Sequence, residues 1–259
     1  MSDHMLTARR SIYGWLPDLP DHRDKFYAEL SLVAPPQKIP SHVDLRAHCS
    51  PVEDQGELGS CTANALAGNL EYLKKQHLKK VINFSRLFIY YNERVIEHTV
   101  NTDSGAMIRD GIKTLVKLGA CPESEWPYDV SVFTHKPPAK AYTDALKYQV
   151  TSYYRLVSLQ EMKQTLANGY PFVFGFSVYE SFESDLVVQE GIVPMPAQGE
   201  RLLGGHAVMA VGFDEAKQVF IVRNSWGVAW GQKGYFTIPY AYLANRNLSS
   251  DFWTIRGME

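Results

Sequence analysis

Apolar positions in the first half of the chain recur with helical spacing. From Cys61 they fall at Ala63, Leu66, Ala67, Leu70 and Leu73, which predicts a long helix opening at the cysteine. Ser85 is placed to cap a second helix carrying Leu87, Phe88, Tyr91 and Val95. A third pattern runs from about Ala106 through Ile108, Ile112, Leu115 and Val116 and stops near Gly119. The pattern then changes. Ser158 with Glu161 forms a capping box for a short helix ending at Gly169. After it, Phe172–Tyr179, His206–Phe213, Val219–Asn224 and Tyr235–Ile238 read as strands separated by glycines and charged turns. Helices first and strands second predict an α+β fold in two lobes, with a cleft between them as the place for a substrate.

Residues 1–40 read differently. Pro17, Pro20, Pro35, Pro36 and Pro40 break any long element, and only Phe26–Val33 has the pattern of a helical turn or two. The expected organisation is an N-terminal extension over 1–40 and one catalytic domain over 41–259. Within that domain, about 50–145 is mainly helical and about 146–259 mainly β.

Composition narrows the function classes. With 45% hydrophobic and 12% aromatic residues the chain can bury a sizeable core, and a net charge of −2 with interspersed signs gives no reason to expect a nucleic-acid or membrane partner. The basic run Lys74, Lys75, Lys79 and Lys80 reads as a solvated helix face. No apolar run approaches the ~20 residues a membrane span needs, and Ser11–Asp24 is too rich in Pro and Asp for a signal-peptide core. Met1–Met5 is set aside from fold reasoning. A cytoplasmic location, earlier processing, or export without a classical signal peptide is the expectation. Three cysteines, Cys49, Cys61 and Cys121, leave at least one thiol free; a Cys49–Cys121 bridge and two reduced thiols both fit.

Three segments carry chemistry. In Pro51–Asn64 a glycine-containing loop delivers Cys61 to the start of the first long helix. Unpaired N–H groups and the helix dipole favour negative charge there and should lower the thiol pKa. In Gly204-Gly205-His206-Ala207 a histidine follows two glycines into a strand, and in Asn224-Ser225-Trp226-Gly227 an asparagine ends another. A zinc site from Cys61, His206, His42 or His48 is a poor reading, because no ligand pair has close metal-site spacing.

Taken in order, Gln55, Gly56, Gly59, Ser60, Cys61, then Glu125-Trp126-Pro127-Tyr128, His206, Ala207, and finally Asn224, Ser225, Trp226, Gly227, Trp230, Gly231, Gly234 and Tyr235 resemble the motifs of the papain-like cysteine peptidases. The likeness covers about Val43 to Trp253 and is closer to bacterial members that lack a long propeptide. It implies a papain-like fold, helical lobe against β-barrel-like lobe, and a hydrolase that cleaves peptide bonds through a thiolate and a thioester acyl-enzyme, with an endopeptidase expected. It implies catalytic roles for Cys61 as nucleophile, His206 as base, Asn224 as the group orienting the histidine, and Gln55 as oxyanion donor with the Cys61 N–H. Trp226 would shield the Asn–His contact. Gly105, Met107, Gly175, Gly205 and Ala207 align with substrate-binding positions whose smallness fits a bulky side chain; Ala106 belongs with them, and Ser250 or Asp251 with the pocket floor. No cofactor and no metal are called for, and the partner is a peptide or protein substrate. A non-hydrolytic binder on the same fold and an acyl-transfer enzyme stand as alternatives, against which the full set of four catalytic residues speaks.

The chain departs from the family at Leu58, where a disulfide-forming cysteine is common, and at Thr62, where a tryptophan is usual and a smaller, more polar cleft wall is expected. Ser104-Gly105 stands where a glycine pair is frequent. For the extension two readings remain. Either it packs outside the fold, or part of it contacts the cleft intramolecularly, with Tyr13–Pro20 the best covering piece because it pairs aromatics with stiff prolines.

Overall fold

The computed structural model describes residues 13–31, 38–78 and 81–259. In chain order these form β1 (Trp15–Leu16), α1 (Ala28–Ser31), β2 (His42–Asp44), α2 (Cys61–Leu78), α3 (Arg86–Ile96), β3 (Ala106–Met107), α4 (Ile108–Lys117), α5 (Ala139–Ala145), β4 (Val150–Arg155) and α6 (Leu159–Ala167). The sheet-rich remainder comprises β5 (Phe172–Tyr179), α7 (Asp185–Glu190), β6 (Leu202–Asp214), β7 (Val219–Arg223), β8 (Tyr235–Pro239), α8 (Tyr240–Ala244) and β9 (Ser249–Met258). Met1–Met5, Arg9, Arg10, Pro35, Pro36, Lys79 and Lys80 lie outside the described residues.

The expected caps form. Ser85 Oγ accepts from Phe88 N at 3.0 Å, and Ser158 Oγ accepts from Glu161 N at 3.2 Å. The Glu161 carboxylate reaches back to Val157 N, one residue ahead of the cap. α4 starts at Ile108 and not at Ala106, because Ala106 and Met107 are drawn into a parallel two-strand pairing with Trp15 and Leu16. Its missing cap also comes from a distance: Asp18 Oδ1 accepts from Arg109 N at 3.0 Å.

Seven strands make one antiparallel sheet in the order β4-β9-β5-β6-β7-β8, with β2 added along β6. The ends of that order do not pair, so the sheet is barrel-like only loosely. β4 and β9 have no counterpart in the pattern reading. β4 is half-exposed along most of its length, and β9 is interrupted by Asp251 at φ +58, so neither shows a clean alternation. In β5 the alternation is clear. Phe172, Phe174 and Phe176 enter an aromatic cluster on the far face, while Val173 joins the core shared with the helices and Gly175 lies under the Trp15 ring. α2 lies chiefly against β6, and the two lobes share a core containing Leu66, Leu70, Ile112, Val173, Met209 and Val211.

One surface expectation changes. Lys74 is buried and bonds the Glu259 carbonyl, with its ammonium over the Tyr148 ring, and Lys75 donates to Cys49 O at 2.9 Å, so this half of the basic run staples the C-terminal strand and the 47–49 turn. All three cysteines are unbridged.

Beneath the start of α2 lies a buried acid. Glu93 is fully buried, takes the Thr62 hydroxyl at 2.8 Å on Oε2, and has no hydrogen-bond partner for Oε1 among the described residues. Burial holds its pKa well above the ordinary carboxylate range, so the folded protein favours the neutral acid. The stability that depends on this proton is complete below the unfolded carboxyl pKa of about 4.3 and is lost as pH rises toward the folded value. Glu93→Gln, which cannot ionise, should therefore melt progressively above the wild type as pH is raised. Thermal melts across the neutral and alkaline range check this; parallel curves at all pH values would show that Glu93 is not held neutral.

Candidate active site

Cys61 is the first residue of α2, His206 lies within β6, and Asn224 follows β7. Packing of α2 on β6 brings the first two together: Ala207 N donates to Cys61 Sγ at 3.4 Å, and Cys61 and His206 are both fully buried. His206 Nε2 meets Asn224 Oδ1 at 2.8 Å, which leaves Nδ1 as the nitrogen able to exchange a proton with the sulfur. Trp226 stacks on the imidazole with ring centres 4.9 Å apart and planes at 26°, and Trp230, Phe182 and Phe176 back it, so the Asn–His contact sits in an aromatic, water-poor wall.

Gln55 arrives from the loop before α2. Its Oε1 accepts the Ser225 hydroxyl at 2.6 Å and its Nε2 donates to Leu58 O at 2.9 Å, which fixes the amide flip and leaves the second Nε2 hydrogen for another acceptor. Tyr128 closes the same loop by donating to Gln55 O at 2.8 Å and pairing with Ser60 Oγ. The four sequence-derived polar residues thus converge. Thr62 differs from expectation: it is fully buried and its hydroxyl is committed to Glu93, so it offers no polar group to a cleft wall.

The substrate-binding candidates surround the N-terminal segment. The Trp15 indole lies on Gly175, where a Cβ would come within 1.9 Å of its ring, and against Gly205. Ala106 N donates to Gly14 O at 2.8 Å, Gly105 takes φ +73 with Gly14 directly over it, and Met107 pairs with Leu16. Ala207 contacts the sulfur itself. Ser250 is opposite Gly175 in the β5–β9 register. Tyr13 stands edge-on to His206 at 6.2 Å and bonds the Glu183 carboxylate.

Beyond Leu16 the segment is fastened by charge, which local pattern does not reveal because the partners lie far apart in the chain. Asp18 N donates to Asp251 Oδ2 at 2.8 Å, and Trp253 Nε1 donates to Asp18 Oδ2 at 2.8 Å. Arg109 grips Asp24 through Nε and Nη2 at 2.8 and 2.6 Å and also bonds Leu19 O, while Arg155 joins Asp24 and Asp251 at 2.8 and 2.9 Å. Asp251 therefore binds this segment and Arg155.

The covered thiol also behaves differently from a cysteine open at a helix end. Burial pushes Cys61 up to about 12, outweighing the hydrogen bonds from the N–H groups of Ala207, Gly14 and Thr62 that pull the other way. The alkylation rate of Cys61 in the full-length chain should accordingly climb with pH and show no plateau below about pH 9. Iodoacetamide kinetics followed by peptide mapping measure this, and a rate already level near neutral pH would mean that the thiol is not held protonated.

Comparison with known proteins gives four findings. Residues 39–251 match the family model described as papain family cysteine protease. The crystal structure of xylellain, a cysteine protease from Xylella fastidiosa, shares 44% identity and superposes with a TM-score of 0.85, covering 97% of this chain and 98% of that one. An uncharacterized peptidase C1-like protein of Acanthamoeba polyphaga mimivirus is 43% identical over 94% of this chain and 86% of its own length. A cathepsin L-like proteinase of Fasciola hepatica is 27% identical over 76% of this chain, which spans 59% of that protein.

Proposed function

The chain belongs to the papain family of cysteine proteases, and from that premise we propose that it is an endopeptidase whose own N-terminal segment governs access to the cleft. The observation that carries the catalytic part is the convergence on Cys61: a sulfur at the start of α2, an amide from β6 upon it, and the adjoining His206 gripped by Asn224. Once the cleft is open, His206 Nδ1 takes the Cys61 proton. The thiolate then attacks the scissile carbonyl carbon, a C–S bond forms, and the carbonyl electrons move to oxygen. Gln55 Nε2 and the Cys61 N–H stabilise that oxyanion. As it collapses, the C–N bond breaks and His206 gives its proton to the leaving amine. Water, deprotonated by His206, cleaves the thioester and restores the thiol. Asn224 keeps Nε2–H engaged so that Nδ1 remains the working nitrogen, and Trp226 keeps water from competing.

The Trp15 indole resting on Gly175 and Gly205 supports a subsite for a bulky aromatic side chain, with Gly105 and Met107 receiving the neighbouring backbone. A peptide cannot approach the sulfur while Gly14 and Trp15 occupy that path, so residues 13–24 act as a strap. Replacing Trp15 removes its largest apolar anchor. Trp15→Ala in the full chain should raise kcat/KM for a peptide substrate by about tenfold or more, given the ~3–5 kcal/mol that burying a tryptophan commonly contributes. The same chain carrying Cys61→Ala as well should not cleave. Unchanged activity in Trp15→Ala would remove the strap model, and cleavage without Cys61 would remove the nucleophile assignment.

The strap should also respond to pH. Burial, then the facing Asp251 carboxylate, raises Asp18 to about 6, despite help from Arg109 and Trp253. Docking therefore favours protonated Asp18. That contribution is complete below the undocked value of about 3.9 and is lost as pH rises through about 6. Labelling of Cys61 by a peptidyl epoxide should increase more steeply over this range in the wild type than in Asp18→Asn. Identical profiles would show that Asp18 does not set docking.

A further inference from the structure

The rim of the cleft opposite β6 is the loop from Val100 to Gly105, and it is braced without a covalent link among the described residues. At Leu58, where the family resemblance leads one to look for a disulfide, the side chain is a buried leucine. The bracing is polar. The buried Arg94 donates to Val100 O at 2.8 Å, to Thr102 O at 3.2 Å and, from its other nitrogen, to Phe133 O at 2.6 Å, with its plane over the Tyr90 ring. The Tyr90 hydroxyl accepts from Gly105 N at 3.1 Å and donates to Asp103 Oδ1. Both Asp103 oxygens then accept from Gly59 N, each at 3.0 Å.

We propose that Asp103, acting with Tyr90, is a positioning residue that sets the spacing between the nucleophile's loop and the edge that receives the substrate backbone. The relay has the right ends for this. Gly59 lies two residues before Cys61 and leads straight into α2. Gly105 precedes Ala106, whose N–H holds a peptide carbonyl, at present that of Gly14. A carboxylate is suited to the task because it accepts from Gly59 N and Tyr90 Oη together, and charge-assisted bonds are roughly twice as strong as neutral ones. The buried face of Tyr90 against Arg94 keeps the hydroxyl from swinging away. Being hydrogen-bonded and not covalent, the brace does not depend on the redox state of its surroundings.

This inference rests on Cys61 as nucleophile and on the Ala106 edge as substrate-binding, and the experiment separates the two. In the full-length Trp15→Ala chain, Asp103→Ala should lower kcat/KM for a peptide by about tenfold, chiefly by raising KM, in line with losing charge-assisted hydrogen bonds. Its rate of Cys61 alkylation by iodoacetamide, a reagent that needs no subsite, should stay within about twofold of the parent. Asp103→Asn, whose carboxamide oxygen can still accept from Gly59 N, should recover most of the loss, and Tyr90→Phe should reproduce the split between peptide and iodoacetamide. Peptide kinetics unaltered by Asp103→Ala, or peptide and iodoacetamide rates falling in parallel, would overturn the positioning role. Absence of Cys61 labelling in the Trp15→Ala parent would instead overturn the nucleophile reading, and the role of Asp103 with it.

Discussion

The molecule is organised around one contact between its lobes: the sulfur at the head of α2 against the backbone of β6. α2 can present Cys61 there only because its apolar stripe, Leu66 and Leu70 included, packs on the β6 face carrying Met209 and Val211. The sheet in turn must place Ala207 and His206 at the height of the helix's first turn. That register is enforced on both sides of β6, by β5 through the Gly175–Ala207 and Phe176–His206 pairs and by β7 through Met209–Arg223. Arg223 then reaches across to Ser50 O and Pro51 O, tying the loop that carries Gln55 to the strand that leads into Asn224. Catalytic geometry is therefore a consequence of sheet register more than of any property of the individual side chains.

The same contact explains why the N-terminal strap has so much leverage. Its pieces fasten by different physics. Trp15 is apolar burial against two glycines, the Gly14–Ala106 bond is strand addition, and Asp24 anchors an ion network in which Arg109 pairs with Asp24 and Arg155 bridges Asp24 to Asp251. Breaking one partner of such a network is costly because it strands a buried charge, whereas the pair as a whole adds little over apolar packing. The ionic part is thus better suited to setting where the strap sits than to holding it down. The apolar part, Trp15 packed on Gly175 and Gly205, is better suited to carrying the grip.

Much of this was legible in the chain because the chemistry sits at element boundaries with local signals. Cys61 opens an apolar-striped helix, Asn224 ends a strand, and Ser85 and Ser158 cap helices through bonds to residues three positions on. The β4 and β9 strands were not legible, since half-exposure and the left-handed Asp251 blur their alternation. Nor was the start of α4, where pairing with Trp15 overrides a helical pattern. The depressed thiol pKa expected from the helix end fails for a similar reason: the dipole is local and readable, but the burial that outweighs it is set by tertiary packing. The partners of Asp18, Asp24 and Asp103 are likewise set by topology.

That contrast bears on how a helix-end cysteine should be understood. The dipole and the N–H groups at the head of α2 are fixed features of the backbone and do not change when the strap docks. What changes is solvent. In the proposed strap model, a docked segment keeps out the water that would help support a thiolate–imidazolium pair; Cys61 is fully buried, and burial favours the neutral thiol although every hydrogen bond offered to the sulfur favours charge. In the proposed strap model, reactivity at Cys61 is a property of cleft occupancy, and any group that fills the path between Gly105 and Gly205, whether strap or substrate, alters the very ionisation on which attack depends. A substrate differs from the strap in the one respect that matters here: it brings a carbonyl that can take up the charge as it leaves the sulfur.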